Sequence, residues 1–473
     1  MDTDSFDVIA VGGGFSGLTT ACRAAQLGLN ALILEQRPEP LYPCSSRYAT
    51  GVFGVMGVSL MNPPEALAAA IMSGTDGTAR RDLAAAVAQN SRRAYEWLLQ
   101  EGARFETPPY LEPGAMERSA HVMAPARRFG AGLDWQGRGA DLLMQRLEAN
   151  LAQRGGAVRR GIRVESLVVE NGACIGVEAM QDGARLRFHA EAVVIADGGF
   201  AANPALVRRW ITPHPDRVLA RVGPGARGDG ILMAETAGAA IGGFGAFYGH
   251  IHHRDAMANA ALWPYPHLDA MAEASILVGP DGRRFADEGL GGVPLANAIA
   301  RLPDPLGAFI VFDAAMWNGA PGRAGPVACN PFLPEAGGAM ASAPDLATLA
   351  ATTGLPPASL AQTVARHNQA VASNDFSALE IPRTTARWKP LPLQAPPFYA
   401  VPLCAGITGT MGGIEIDAHA QALRADGSHF RGLYAVGTPV AHLEGGPRAG
   451  YVGGLCKGFV LGLLAAEHIA ARR

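Results

Sequence analysis

The chain has 473 residues, room for two or three domains, and is 49% hydrophobic and 17% charged, with 59 glycines and 34 prolines, a composition suited to a loop-rich α/β enzyme. A net charge of −3 without a long basic run argues against nucleic acid as a partner. The six cysteines, at 22, 44, 174, 329, 404 and 456, form no CxxC pair, which disfavours iron–sulfur, structural zinc and c-type haem sites and leads us to expect a reducing, cytoplasmic setting.

The acidic opening "MDTDS" runs directly into "FDVIAV", a strand-like apolar run, so no secretory signal is expected. Gly12-Gly13-Gly14-Phe15-Ser16-Gly17 then fits G-x-G-x-x-G, followed by the helical "LTTACRAAQLG" and a second strand, "ALILEQR". Gly12 allows the tight turn, Gly14 the approach of a pyrophosphate, and Gly17 the close packing of helix on strand. Ser16 belongs to the same phosphate-facing helix start, where free N–H groups and the helix dipole favour anions. Glu35, 18 residues past Gly17, ends the second strand as a ribose acceptor, with Gln36 beside it. A dinucleotide is the expected ligand.

"LYPCSSRYATGVFGVMG" (41–57) carries Ser45, Ser46, Thr50 and Gly51. Three amphipathic helices are expected, in "PPEALAAAIMSG", "RRDLAAAVAQNSRRAYEWLLQEGARF" and "GRGADLLMQRLEANLAQRGG". A hairpin is expected around Asn171-Gly172. "AEAVVIADGGF" reaches Asp197 and Gly198, and "FRGLYAVGTPV" reaches Gly437 and Thr438; both are apolar strands stopping where a cofactor would face them. The last apolar stretch, "YVGGLCKGFVLGLLAAEHIAA", is interrupted by Lys457, Glu467 and His468 and reads as a buried helix, not an integral membrane span.

Taken together, these motifs resemble the FAD-binding flavoproteins of the fumarate reductase, succinate dehydrogenase and 3-ketosteroid dehydrogenase type, over essentially the whole length. The resemblance implies FAD as cofactor, held non-covalently because residues 41–57 lack the histidine of covalent members. It implies an α/β fold: a Rossmann-like, discontinuous FAD-binding domain (1–245 and 396–473) with an inserted α+β cap, or substrate, domain (246–395). It also assigns the 41–57 segment to the pyrophosphate and flavin, the Val164 backbone to adenine, and Gly228-Asp229 of "GARGDGILMAETAGAAIG" to the cofactor region. Gly450, Val452 and Gly453 would support the flavin ring.

A flavin dehydrogenase needs a proton carrier and donors that hold substrate oxygens. The fumarate reductases' proton-donating arginine falls here on Gly292, and their histidine before "TMGG" on Gly409. Their carboxylate-binding arginine finds a match in Arg448 of "EGGPRAGYVGG", with structural pairing to Glu444 as the other reading. The segments "RRFADEG" and "YGHIHHRD" are closer to tricarballylate dehydrogenase and its relatives, and Tyr451 lies near the tyrosine of 3-ketosteroid dehydrogenases. His250 is the favoured acid or base, Tyr248 reads as packing, and Arg284–Glu288 as a structural ion pair. H-x-H-H lacks zinc-helix spacing, so no metal is expected.

The function expected is an FAD-dependent dehydrogenase or reductase acting on a carbon–carbon bond beside a carbonyl or carboxylate of a small organic substrate. A 3-ketosteroid dehydrogenase-like activity, an FAD monooxygenase and an electron-transfer protein without substrate stand as alternatives. With no haem or iron–sulfur motif, electrons would pass to a separate protein, a dye-like acceptor or oxygen.

Overall fold

Strands buried on both faces need no polar alternation, and the apolar runs read above become a parallel sheet for that reason. Ser5–Val11 lies between Ala31–Glu35 and Ala184–Ile195, parallel to both, with Val8 opposite Ala31 on one side and Ala192 on the other. The sheet order runs Gln421–Leu423, His429–Ala435, Ala184–Ile195, Ser5–Val11, Ala31–Glu35 and Ala157–Arg160. The hairpin of Arg163–Glu170 and Ala173–Gln181 joins through Ala184–Ile195. Its turn residues Asn171 and Gly172 have φ of 49° and 72°, as a type I′ turn requires. The computed structural model describes residues 5–107, 121–128, 133–385 and 387–473.

The expected helices form at Pro64–Gly74, Arg81–Gln100 and Gly139–Gln153. The last helix, Gly454–Ala471, is long and apolar enough to cross a membrane by length and composition alone. It packs instead against Phe15–Gln26 and Arg81–Gln100, burying Phe459, Leu461, Leu463 and Ile469. Each such side chain contributes at most about 1.5–3 kcal/mol. Lys457, which breaks the apolar run, is buried against the carboxylate of Glu444.

A second sheet is organised around one long strand, Phe398–Thr410. Val218–Ala220 pairs with it in parallel; Phe247–His253, Phe309–Asp313 and Ala341–Ala343 pair antiparallel. This corrects the expected boundary at 395/396. The proline-rich stretch ends there, but the strand beyond it, Phe398–Thr410, is the axis of the cap sheet. The second hydrophobic core also takes Phe200, Leu206, Val218 and Ile231, from before residue 246. Burial, unlike loop composition, does not respect the expected division.

Candidate active site

The carboxyl ends of Ser5–Val11, Ala31–Glu35 and Ala184–Ile195 converge on a cleft, where a parallel sheet presents its ligands. Gly12 has φ 103°, and a Cβ there would lie 2.8 Å from the carbonyl oxygen of Ala196. A Cβ on Gly17 would come within 2.0 Å of the Gly12 oxygen. The turn therefore closes only without side chains, leaving backbone as its surface. The helix Phe15–Gln26 starts at this turn with no side-chain cap on Gly14, and the Phe15 N–H donates to Ser46 Oγ (3.0 Å).

Glu35 is buried in the cleft wall, and desolvation holds its carboxyl above the usual range. It accepts the Gly13 N–H on Oε2 and the Arg37 N–H on Oε1, both at 2.9 Å. Asp197 accepts the Gly230 N–H (2.7 Å), its other oxygen is buried without a partner, and burial pushes its pKa up to about 7. These features fit a dinucleotide: bare backbone and a helix N-terminus for phosphates, an acid at the ribose position, and a buried polar atom left unsatisfied.

Most residues expected at the cofactor line this cleft. Gly12, Gly14, Ser16, Glu35, Gln36 and Val164 do so, as do Ser45, Ser46, Asp197, Gly198, Asp229 and Thr438. Thr50, Val452 and Gly453 line an adjoining cavity instead. Gly17, Gly51, Gly228, Gly437 and Gly450, also expected at the cofactor, line neither. A Cβ on Gly437 would meet Ser16 Oγ at 2.4 Å, and one on Gly450 the Gly74 oxygen at 2.2 Å.

The adjoining cavity has a volume of about 650 Å³ and shares Ser16, Ser45, Thr410 and Thr438 with the cleft. His250 lies in it, at the centre of a hydrogen-bond chain. Asp269 Oδ2 is 2.7 Å from His250 Nδ1, and His250 Nε2 is 3.2 Å from the Tyr248 hydroxyl. The other Asp269 oxygen accepts the Ile251 N–H (2.9 Å). A carboxylate beside Nδ1 keeps that nitrogen protonated, so Nε2 accepts from the Tyr248 O–H. Tyr248 stacks on Tyr451, with centroids 3.7 Å apart, and Tyr451 in turn accepts the Gly454 N–H (2.7 Å) at the start of the last helix. Desolvation raises both phenols, Tyr248 to about 12.

Three expectations change here. Arg448 does not line the cavity: its side chain is 46% exposed and bonded to Asp76 and to the Ser73 carbonyl. Its other expected partner, Glu444, is taken by Lys457 and by the Val452 N–H (3.0 Å). Tyr248 is not mere packing but part of the His250 chain. Gly292, read from the sequence as standing where the resembled fumarate reductases have an arginine, leaves its space to Asp269, since a Cβ at Gly292 would sit 2.1 Å from Asp269 Cγ.

The remaining histidines separate by strand face. His252 is fully buried, and its pKa is driven well below 6.5 by desolvation. His253, on the opposite face, bonds the Ala339 carbonyl at 2.7 Å. Ligating atoms of His250, His267 and Asp269 lie within 4.8 Å of one another, but the imidazoles stack face to face at 3.8 Å while Asp269 bonds one of them. The hydrogen-bond chain accounts for this cluster. Arg284 and Glu288 form the expected ion pair, buried beside Arg383.

Sequence reasoning missed Asp269, Arg221 and Lys457 as cavity residues. Tyr248 was read as packing although a signal was present: it stands two residues from His250, and alternate strand residues share a face. The other three reach the cavity from separate segments; Lys457 stood out as a charge inside an apolar run, but the local sequence of Asp269 and Arg221 carries no signal.

A profile of the family described as "FAD binding domain" matches residues 7–450. The chain is 28% identical to the NADH:acrylate oxidoreductase of Vibrio harveyi, over 78% of this chain and 35% of that protein. It is 26% identical to the NADH:fumarate oxidoreductase of Klebsiella pneumoniae, over 99% of this chain and 48% of that protein. The chain thus spans half or less of these relatives' length. In fold it matches the 3-ketosteroid delta1-dehydrogenase of Sterolibacterium denitrificans, with a TM-score of 0.78, 21% identity and full coverage of both chains.

Proposed function

Because the chain belongs to the FAD binding domain family, we propose that it is an FAD-dependent oxidoreductase acting on a carbon–carbon bond beside a carbonyl or carboxylate of a small organic molecule. The observation that carries this reading is the Tyr248–His250–Asp269 chain, set in a large cavity that adjoins the dinucleotide cleft. FAD, when bound, supplies a ring that exchanges hydride; the protein must then move the other proton and hold the substrate.

In the oxidative direction Tyr248 takes a proton from a substrate carbon while its own passes to His250 Nε2. Asp269 stabilises the imidazolium that results. Reduction runs the same transfers backwards, with Tyr248 as acid. Tyr451 has its oxygen engaged by the Gly454 N–H, which leaves its proton to offer to a substrate oxygen. Gly12, Gly14 and the helix start at Phe15 would hold the phosphates, Glu35 a ribose hydroxyl, and Val452 and Gly453 the ring.

The FAD is non-covalent in this reading, since 41–57 contains no histidine. Acid precipitation should release yellow flavin into the supernatant; flavin retained in the pellet would refute it. Fumarate should be a poor substrate, because no arginine stands at Gly292. An anaerobic screen of carboxylates and cyclic enones for flavin bleaching or reoxidation tests the whole reading: at least one class must respond, and fumarate turnover at roughly 1–1000 per second would overturn the exclusion. A cyclic ketone is the second reading, favoured by the stacked Tyr248–Tyr451 pair and by Trp263, Tyr265 and Trp388 in the cavity wall.

A further inference from the structure

We propose that Arg221 anchors the carboxylate of the substrate, so that the molecule admitted is an organic acid with a flat, apolar or aromatic body. The inference rests on the oxidoreductase reading and narrows its substrate class.

Arg221 follows the cap strand Val218–Ala220 and lines the cavity. Its backbone N–H donates to the Ile407 carbonyl (2.7 Å), which fixes the main chain, and its side chain donates to Thr408 Oγ1 (2.8 Å). Among the described residues no carboxylate lies in ion-pair reach of it, and Thr408 is its one side-chain hydrogen-bond partner. A guanidinium has five N–H donors, so most of its capacity faces the cavity unused.

The cavity's own acids are otherwise engaged. Asp269 bonds His250 and the Ile251 N–H, and Glu444 bonds Lys457 and the Val452 N–H. Burial pushes Glu273 up to about 7, so near neutrality it carries only part of a charge. Arg127, held by the Tyr48 and Asp134 carbonyls, stands 6.0 Å from the centre of the Tyr265 ring that Arg221 approaches at 5.7 Å. Two cations thus flank one aromatic ring. Desolvation accordingly depresses the Arg221 guanidinium, with Arg127 adding to the effect.

A cation in such a site is costly until an anion pairs with it, and a carboxylate matches the guanidinium fork with two parallel hydrogen bonds. A neutral carbonyl would leave the charge uncompensated. The aromatic walls, Trp263, Tyr265 and Trp388, then receive the rest of the molecule.

The test uses the FAD-loaded full chain and two probes of equal shape, benzoate and benzamide, titrated calorimetrically. Wild type should bind benzoate in preference to benzamide at millimolar concentration or better. Arg221→Met should weaken benzoate by roughly 30-fold or more while leaving benzamide and FAD content unchanged. Arg221→Lys should recover little, because ammonium lacks the planar fork. The proposal is overturned if wild type fails to bind benzoate, if the two probes bind alike, if Arg221→Met retains benzoate affinity, or if that variant sheds FAD, which would place Arg221 on the cofactor. Binding is read without turnover, so failure of the oxidoreductase reading would show separately, as absence of any flavin response in the substrate screen.

Discussion

Asp269→Asn isolates the proton chain with little change in shape. In the native protein Asp269 Oδ2 stands 2.7 Å from His250 Nδ1 and Oδ1 accepts the Ile251 N–H at 2.9 Å. An asparagine can keep the Ile251 bond through its carbonyl oxygen, but then its NH₂ faces Nδ1. That nitrogen must become an acceptor, which moves the ring proton to Nε2 and turns it against the Tyr248 O–H. His250 can then no longer take the Tyr248 proton, and the charge that would stabilise an imidazolium is gone. Loss of correctly oriented general acid–base catalysis costs on the order of 10²–10⁴-fold in rate. The assay is stopped-flow flavin bleaching by the substrate found in the screen, with FAD content and melting temperature as controls. Full FAD content with bleaching slowed at least 100-fold is the expected result. Bleaching within about threefold of wild type would refute the chain's role, and the proton would have to travel through Tyr451 or a water.

Other sites give equally direct tests. Gly292→Ala should slow the same reaction without releasing FAD, since its Cβ would lie 2.1 Å from Asp269 Cγ and displace that carboxylate from His250; unaltered bleaching kinetics would count against the placement of Asp269. Lys457→Met should lower stability by about 3–5 kcal/mol in a denaturant melt, because it strands the buried Glu444 charge, and adding Glu444→Gln should restore much of the loss. If the double variant melts no later than Lys457→Met alone, the pair is not the cause. Arg448→Ala should cost no more than about 1 kcal/mol and leave bleaching rates intact, as expected of an exposed pair with Asp76. A large rate loss with FAD retained would return Arg448 to the active site.

The dinucleotide half of the protein was legible in its sequence because its determinants are local. A strand, the turn Gly12–Gly17, a helix and Glu35 at the next strand end lie within one βαβ unit; Gly17 is demanded by the Gly12 carbonyl of the same turn, whereas the contact that demands Gly12 comes from Ala196, just past the end of a remote strand. The type I′ turn at Asn171-Gly172 was legible for the same reason. The adjoining cavity was only partly so. His250 and Tyr451 do line it, but Arg448 was assigned to the site by its match to the family's carboxylate-binding arginine, and no local pattern reveals that Asp76, 372 residues away in sequence, holds its guanidinium at the surface. Asp269, Arg221 and Lys457 meet in one cavity only because Phe398–Thr410 gathers the cap strands and the last helix begins at the cavity wall. Side-chain chemistry determines what each residue can do; which charges are paired, and which face the cavity with capacity to spare, is decided by contacts between segments that are remote in the chain.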